Sequence, residues 1–107
     1  MSYNLIITHA FERDAKPLLK KYKSLTIDLI GLFESLENKP IQGKPLGKDC
    51  YKIRLAITSK GKGKSGGARV IACVKIKDGK IFLLAIYDKS EKEDIPDKEL
   101  NRLLKFI

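Results

Sequence analysis

Residues 51–57, Tyr51-Lys52-Ile53-Arg54-Leu55-Ala56-Ile57 (YKIRLAI), decide the fold. Tyr51, Ile53, Leu55 and Ile57 fall on every second position, with Lys52, Arg54 and Ala56 between them. A period of two sends alternate side chains to opposite faces of a strand, so the run predicts a β-strand with one apolar and one basic face. The same period continues downstream. Arg69 to Lys77 predicts a second strand with Val70, Ala72, Val74 and Ile76 on one face, and Lys80 to Tyr87 a third, joined to it by a turn through Asp78-Gly79. Three consecutive strands, the first two joined by a glycine–lysine loop longer than a tight hairpin needs, predict an antiparallel meander.

Upstream the period is helical. Ser2 to Thr8 reads as a short strand rich in β-formers. From Phe11, the positions Phe11, Ala15, Leu18, Leu19 and Tyr22 trace one helix face, and Pro17 within it predicts a kink or a fresh helix start. Leu25, Leu29, Leu32, Phe33 and Leu36 repeat the spacing, with Ser24 as an N-cap, so the two segments form a helical hairpin. Asn38 to Asp49, with two prolines and two glycines, reads as a connecting loop. Pro96 opens a last helix with Leu100, Leu103, Leu104 and Ile107 as its stripe. The order β-α-α-β-β-β-α predicts an α+β fold: a small antiparallel sheet with the two-helix hairpin packed on one face, a C-terminal helix, and a free basic face.

At 107 residues the chain predicts a single domain spanning 1–107. No apolar run is long enough to span a bilayer and no secretion signal opens the chain, so a cytoplasmic protein without a membrane partner is expected. Cys50 and Cys73, with His9 the only histidine, fit neither a zinc cluster nor a disulfide framework, and Cys73 in an apolar strand reads as a small core residue. His9 is expected at the end of the first strand or the start of the first helix. No cluster has metal-ligand spacing, so neither a metal nor a cofactor is expected.

Charge is the strongest functional signal. The net charge is +9, and residues 51–80 carry nine basic side chains against one acid, Asp78. Crowding like charges on strands and a loop costs self-repulsion that a polyanion relieves, which points to nucleic acid. Ser59 to Val70 (SKGKGKSGGARV) resembles a phosphate-binding P-loop. Thr58 stands where the first glycine of that motif belongs, and a β-rich run follows where it requires a helix. The loop therefore reads as a mobile basic clamp for a phosphate backbone and not as a nucleotide cradle.

Asp49 to Ala56 (DCYKIRLA), the lysine–glycine loop, Arg69 opening a strand, and the later Tyr87-Asp88-Lys89-Ser90-Glu91 together resemble the RelE superfamily of bacterial toxins, in particular its HigB-like branch. The resemblance implies an mRNA interferase that enters the ribosomal A site, and a cognate antitoxin protein that neutralises it. It implies catalytic roles around the scissile phosphate for Lys52, Arg54 and Arg69. Lys60, Lys62, Lys64, Lys89 and Lys92 are expected to hold messenger or ribosomal RNA. The arginine that such enzymes carry after the last strand aligns with Ser90, and their catalytic tyrosine falls near Pro96, with Lys89, Lys92 or Tyr87 in reach to compensate. Tyr87 itself reads first as a packing residue.

RNA carries its own nucleophile, so an enzyme of this kind orients the 2′-hydroxyl, removes its proton and neutralises charge on the phosphate. Arginine offers fixed, bidentate phosphate contacts. Lysine acts as a base only if its pKa falls, which neighbouring cations favour for Lys52. Two other functions fit the same residues: a non-enzymatic ParE-like inhibitor of DNA gyrase, and an RNA-binding module without catalysis. The simplest alternative, charges that only solubilise the sheet, suits Lys75, Lys77 and Lys80 better than Arg69.

Overall fold

The computed structural model describes residues 2–107 as an α+β fold around a five-stranded sheet. The elements are β1 (Asn4–Ile7), α1 (His9–Lys21), α2 (Leu25–Asn38), β2 (Lys44–Gly47), β3 (Cys50–Leu55), β4 (Ala68–Lys75), β5 (Lys80–Asp88) and α3 (Asp97–Leu104). The sheet order is β1-β5-β4-β3-β2. Strands β3, β4 and β5 are antiparallel neighbours, as the period-two runs predict; β2 adds an antiparallel edge beside β3, while β1 lies parallel to β5 and makes the sheet mixed.

Three features differ from the sequence reading. The segment read as a connecting loop contains β2, a short edge strand in which Pro45 costs no interior ladder bond. Helix α1 runs unbroken from His9 to Lys21 through Pro17. Pro17 and Arg13, whose carbonyl loses its helical donor to the proline, are both on the solvent side, and the buried Phe11, Ala15 and Leu18 hold the helix to the sheet. Ser24 precedes α2 but makes no side-chain cap; its hydroxyl donates to Asp28 at 2.8 Å instead.

The sheet is covered on both faces, so no face is free to be basic along its whole length. Helices α1 and α2 pack on one side against Ile53, Leu55, Val70, Ala72, Val74, Ile81, Leu83 and Ile86. Ile95 and Leu100 and Leu103 of α3 close the other side over Cys50, Ile71, Cys73, Leu84, Ala85 and Tyr87. A bulge in β5 explains why Leu84 and Ala85 share this second face. Ile71 pairs with Ala85 and Ala72 with Leu83, which leaves Leu84 as the extra residue. The bulge reverses the alternation beyond it. Tyr87 is thereby set beside Arg69 on the α3 face, and Asp88 turns toward the helical hairpin.

Candidate functional site

Lys52, Arg54 and Arg69 lie on one face of neighbouring strands because the β3–β4 register pairs Lys52 with Ile71 and Arg54 with Arg69. They line a cleft of about 640 Å³. Lys64 of the glycine loop, Lys44 of β2 and Lys89 after β5 complete its basic wall, and Glu93 is its one carboxylate. The β2 side comes close because Gly43, at φ +88°, has no Cβ to strike the Lys52 carbonyl.

The three residues expected at the phosphate are held differently. Arg54 is exposed, with no ion-pair partner among the described residues. Lys52 Nζ sits 3.1 Å from Asp94 Oδ1, so a carboxylate stands where the sequence suggested only cations. The backbone N–H of Ile95 and Lys52 together hold the Asp94 carboxyl below its ordinary pKa. Arg69 is buried at 7% exposure, not exposed as the sequence suggested. Its guanidinium donates to the carbonyls of Lys64 at 2.9 Å, Ala68 at 3.1 Å and Ser65 at 3.5 Å. It thus lines the cleft and ties down the glycine loop with one side chain.

That loop is built, not a free clamp. It winds through two short 3-10 turns, Thr58–Lys60 and Lys64–Gly66. At its start, Asp28 accepts from the Thr58 hydroxyl at 2.6 Å, the Thr58 N–H at 3.0 Å and the Ser24 hydroxyl. At its end, Gly67 passes so close to Leu55 that a Cβ would strike the Leu55 carbonyl oxygen, and its own carbonyl accepts from Lys89 N–H at 3.0 Å. In the middle, Lys60 Nζ lies 2.7 Å from Asp88 Oδ1.

The eight residues expected from the sequence therefore divide. Lys52, Arg54, Arg69, Lys64 and Lys89 converge on the cleft. Lys60 points inward to Asp88, Lys62 is exposed away from the cleft lining, and Lys92 binds Glu99 at 2.8 Å with its ammonium 5.4 Å over the Tyr87 ring. Ser90 donates its hydroxyl to Asp88 at 2.7 Å, and Pro96 caps α3, so neither is in the cleft lining. The Tyr87 hydroxyl is buried without a hydrogen-bond partner, and burial first, then Asp94, pushes its pKa up to about 12. Lys44, Glu93 and Asp94 do not stand out in the sequence. Their only signal is indirect, since the proline-rich composition of residues 38–49 hides β2 and with it the wall that Lys44 supplies.

Asp88 is the most buried charged group, at 1% exposure. Burial pushes its carboxyl pKa up, but bonds from Lys60, from Tyr22 Oη at 2.5 Å and from Ser90 outweigh this and hold it well below the ordinary carboxylate range. A carboxyl depressed in the folded state stabilises the fold above its unfolded pKa, about 3.9, and that contribution is lost as pH falls toward the folded value. Thermal stability is therefore expected to fall between about pH 4 and pH 2. Asp88→Asn should flatten this part of the melting-temperature profile; an unchanged profile would show that other groups set the acid limit.

The family model described as the RelE toxin of the RelE/RelB toxin–antitoxin system matches residues 8–106. Among solved structures, E. coli toxin RelE, a double arginine-to-alanine mutant in the free state, is similar at TM-score 0.63 and 21% identity, covering 100% of this chain and 99% of that one. The RelBE toxin–antitoxin complex from Mycobacterium tuberculosis contains a chain similar at TM-score 0.58 and 16% identity, covering 82% of this chain and 99% of that one. At these identities the structural likeness is one of fold. The match of the family model over nearly the whole length carries the assignment, and the chain belongs to the RelE toxin family.

Proposed function

We propose that this protein is the toxin of a toxin–antitoxin pair and a ribosome-dependent endoribonuclease that cuts mRNA in the A site. The observation that carries the proposal is the cleft, where Arg54, Arg69 and Lys64 meet without a carboxylate partner among the described residues. Uncompensated cations around a concave site suit a phosphodiester, whose charge grows as it is attacked. Family membership supports the reading, and the lysine–glycine loop is the sequence feature that suits the HigB-like branch. The Mycobacterium tuberculosis complex supports a protein antitoxin as the neutralising partner.

In this mechanism the RNA 2′-oxygen attacks the adjacent phosphorus, the bond to the 5′-oxygen breaks, and a cyclic phosphate and a 5′-hydroxyl result. Arg54 and Arg69 hold the non-bridging oxygens. Lys52 stabilises the developing charge as an ammonium that Asp94 orients; the 2′-hydroxyl proton passes to water, and the leaving 5′-oxygen takes one from water. Lys64 and Lys89 bind the flanking phosphates.

Mapping transcript 5′ ends after brief induction tests this reading. New ends with 5′-hydroxyls inside translated codons are expected. Growth arrest with intact transcripts would instead favour a gyrase inhibitor, and RNA binding without cleavage a passive module. Ribosome affinity should also fall steeply with salt. Lys64→Ala and Lys89→Ala, each removing one phosphate-binding charge, should each make that slope shallower by about one. Lys62→Ala, exposed and outside the cleft lining, should not alter the slope; a decrease there would return Lys62 to the RNA surface.

A further inference from the structure

Cys50 and Cys73, distant in sequence, stand directly opposite each other in the β3–β4 register. The N–H of Val74 donates to the carbonyl of Asp49 at 2.9 Å, so the ladder bond flanks the two cysteines and does not join them. This makes the pair a non-hydrogen-bonded rung, in which Cα atoms lie about 4.5 Å apart. A disulfide spans Cα separations of about 4.4–6.8 Å, so the rung can be bridged without moving the backbone. Both thiols are free, face α3 and are almost wholly buried. Both also reach one acceptor, the Lys48 carbonyl, at 3.5 Å and 3.9 Å.

We propose that Cys50 and Cys73 form a reversible dithiol–disulfide site whose oxidant is a peroxide. Standing on one rung, the two sulfurs titrate as a pair: its neighbour Cys50 draws Cys73 down, while Cys73 and then burial push Cys50 up, so Cys73 supplies the thiolate. Its sulfur attacks the peroxide, the O–O bond breaks, and Cys73 becomes a sulfenic acid as water or an alcohol leaves. Cys50 sulfur then attacks Cys73 sulfur; the S–S bond forms, the S–O bond breaks, and the departing hydroxide takes the Cys50 proton as water. Two electrons pass from the thiols to the peroxide. Access to the sulfurs then needs local opening of α3, a short helix whose Leu100 and Leu103 belong to the same buried cluster as the pair. The new bond closes a ring around the segment carrying Lys52, Arg54, the glycine loop and Arg69. The strands keep their register, so the cleft is retained.

The purified full chain, treated with hydrogen peroxide and then alkylated, tests the site. The expected product is a monomer lighter by two hydrogens, with neither thiol alkylated, restored by a dithiol reductant, and melting on the order of 10 °C higher than the reduced form. Cys50→Ser and Cys73→Ala should each remove the mass loss and the melting shift, and gain oxygen or form intermolecular dimers at the remaining thiol. Persistence of both thiols in the folded chain, while the urea-unfolded chain forms the bond, would overturn the proposal. So would oxygen adducts or dimers as the main wild-type products.

Discussion

Lys60→Met is expected to cost about 3–5 kcal/mol of folding stability, because it strands a buried carboxylate. Lys60 and Asp88 have side chains at 11% and 0% exposure with 2.7 Å between the charged atoms, and the Lys60 ammonium also lies 5.4 Å over the Tyr22 ring. A loss of that size is a large fraction of the roughly 5–15 kcal/mol that holds a domain of this size together. The double mutant Lys60→Met/Asp88→Asn should recover much of it, because the orphaned charge is gone. Urea denaturation of the four proteins measures the cycle. A single mutant within about 1 kcal/mol of wild type would mean that the pair behaves as a surface ion pair, leaving Lys60 free for RNA.

Arg69→Ala is expected to slow cleavage roughly 100- to 1000-fold, the loss typical of one positioned donor, about 2.7–4 kcal/mol. Unlike an exposed arginine, it should also lower stability by about 1–3 kcal/mol, since the Lys64 and Ala68 carbonyls lose their donor. Arg69→Gln separates the two roles. Its neutral amide can donate to the loop carbonyls but brings no positive charge, so melting should recover while cleavage stays slow. Recovery of cleavage together with melting would show that Arg69 acts only by holding the loop.

The elements are legible where one short-range pattern governs them. YKIRLAI and the Val70–Ile76 alternation sort the apolar from the polar face of β3 and place Val70, Ala72 and Val74 in the core, but Ile76, read onto the same face, falls in the turn after β4 and is exposed; Asp78-Gly79 marks that turn, where Gly79 takes φ +63°. Alternation assigns a face but does not say what covers it. Arg69 reads as an outward residue of β4, yet the glycine loop folds back so that Lys64, Ser65 and Ala68 turn their carbonyls to it. The Leu84 bulge, which sends Tyr87 and Asp88 to opposite faces, and the Lys60–Asp88 and Cys50–Cys73 partnerships are consequences of register. A register is fixed by packing across strands, not by the residues within one. Edge strand β2 is hidden for a different reason: Pro45 and Gly47 carry loop composition in an edge position that tolerates it.

Cleavage of a defined mRNA on purified ribosomes, with a chosen codon in the A site, tests the central claim most directly. Wild type should cut within that codon and leave a 5′-hydroxyl, while Arg54→Ala, an exposed cleft substitution that leaves both cores untouched, should fold normally and cut far more slowly. An intact message with wild-type protein, or equal cutting by well-folded Arg54→Ala, would contradict the assignment of this cleft as the ribonuclease site.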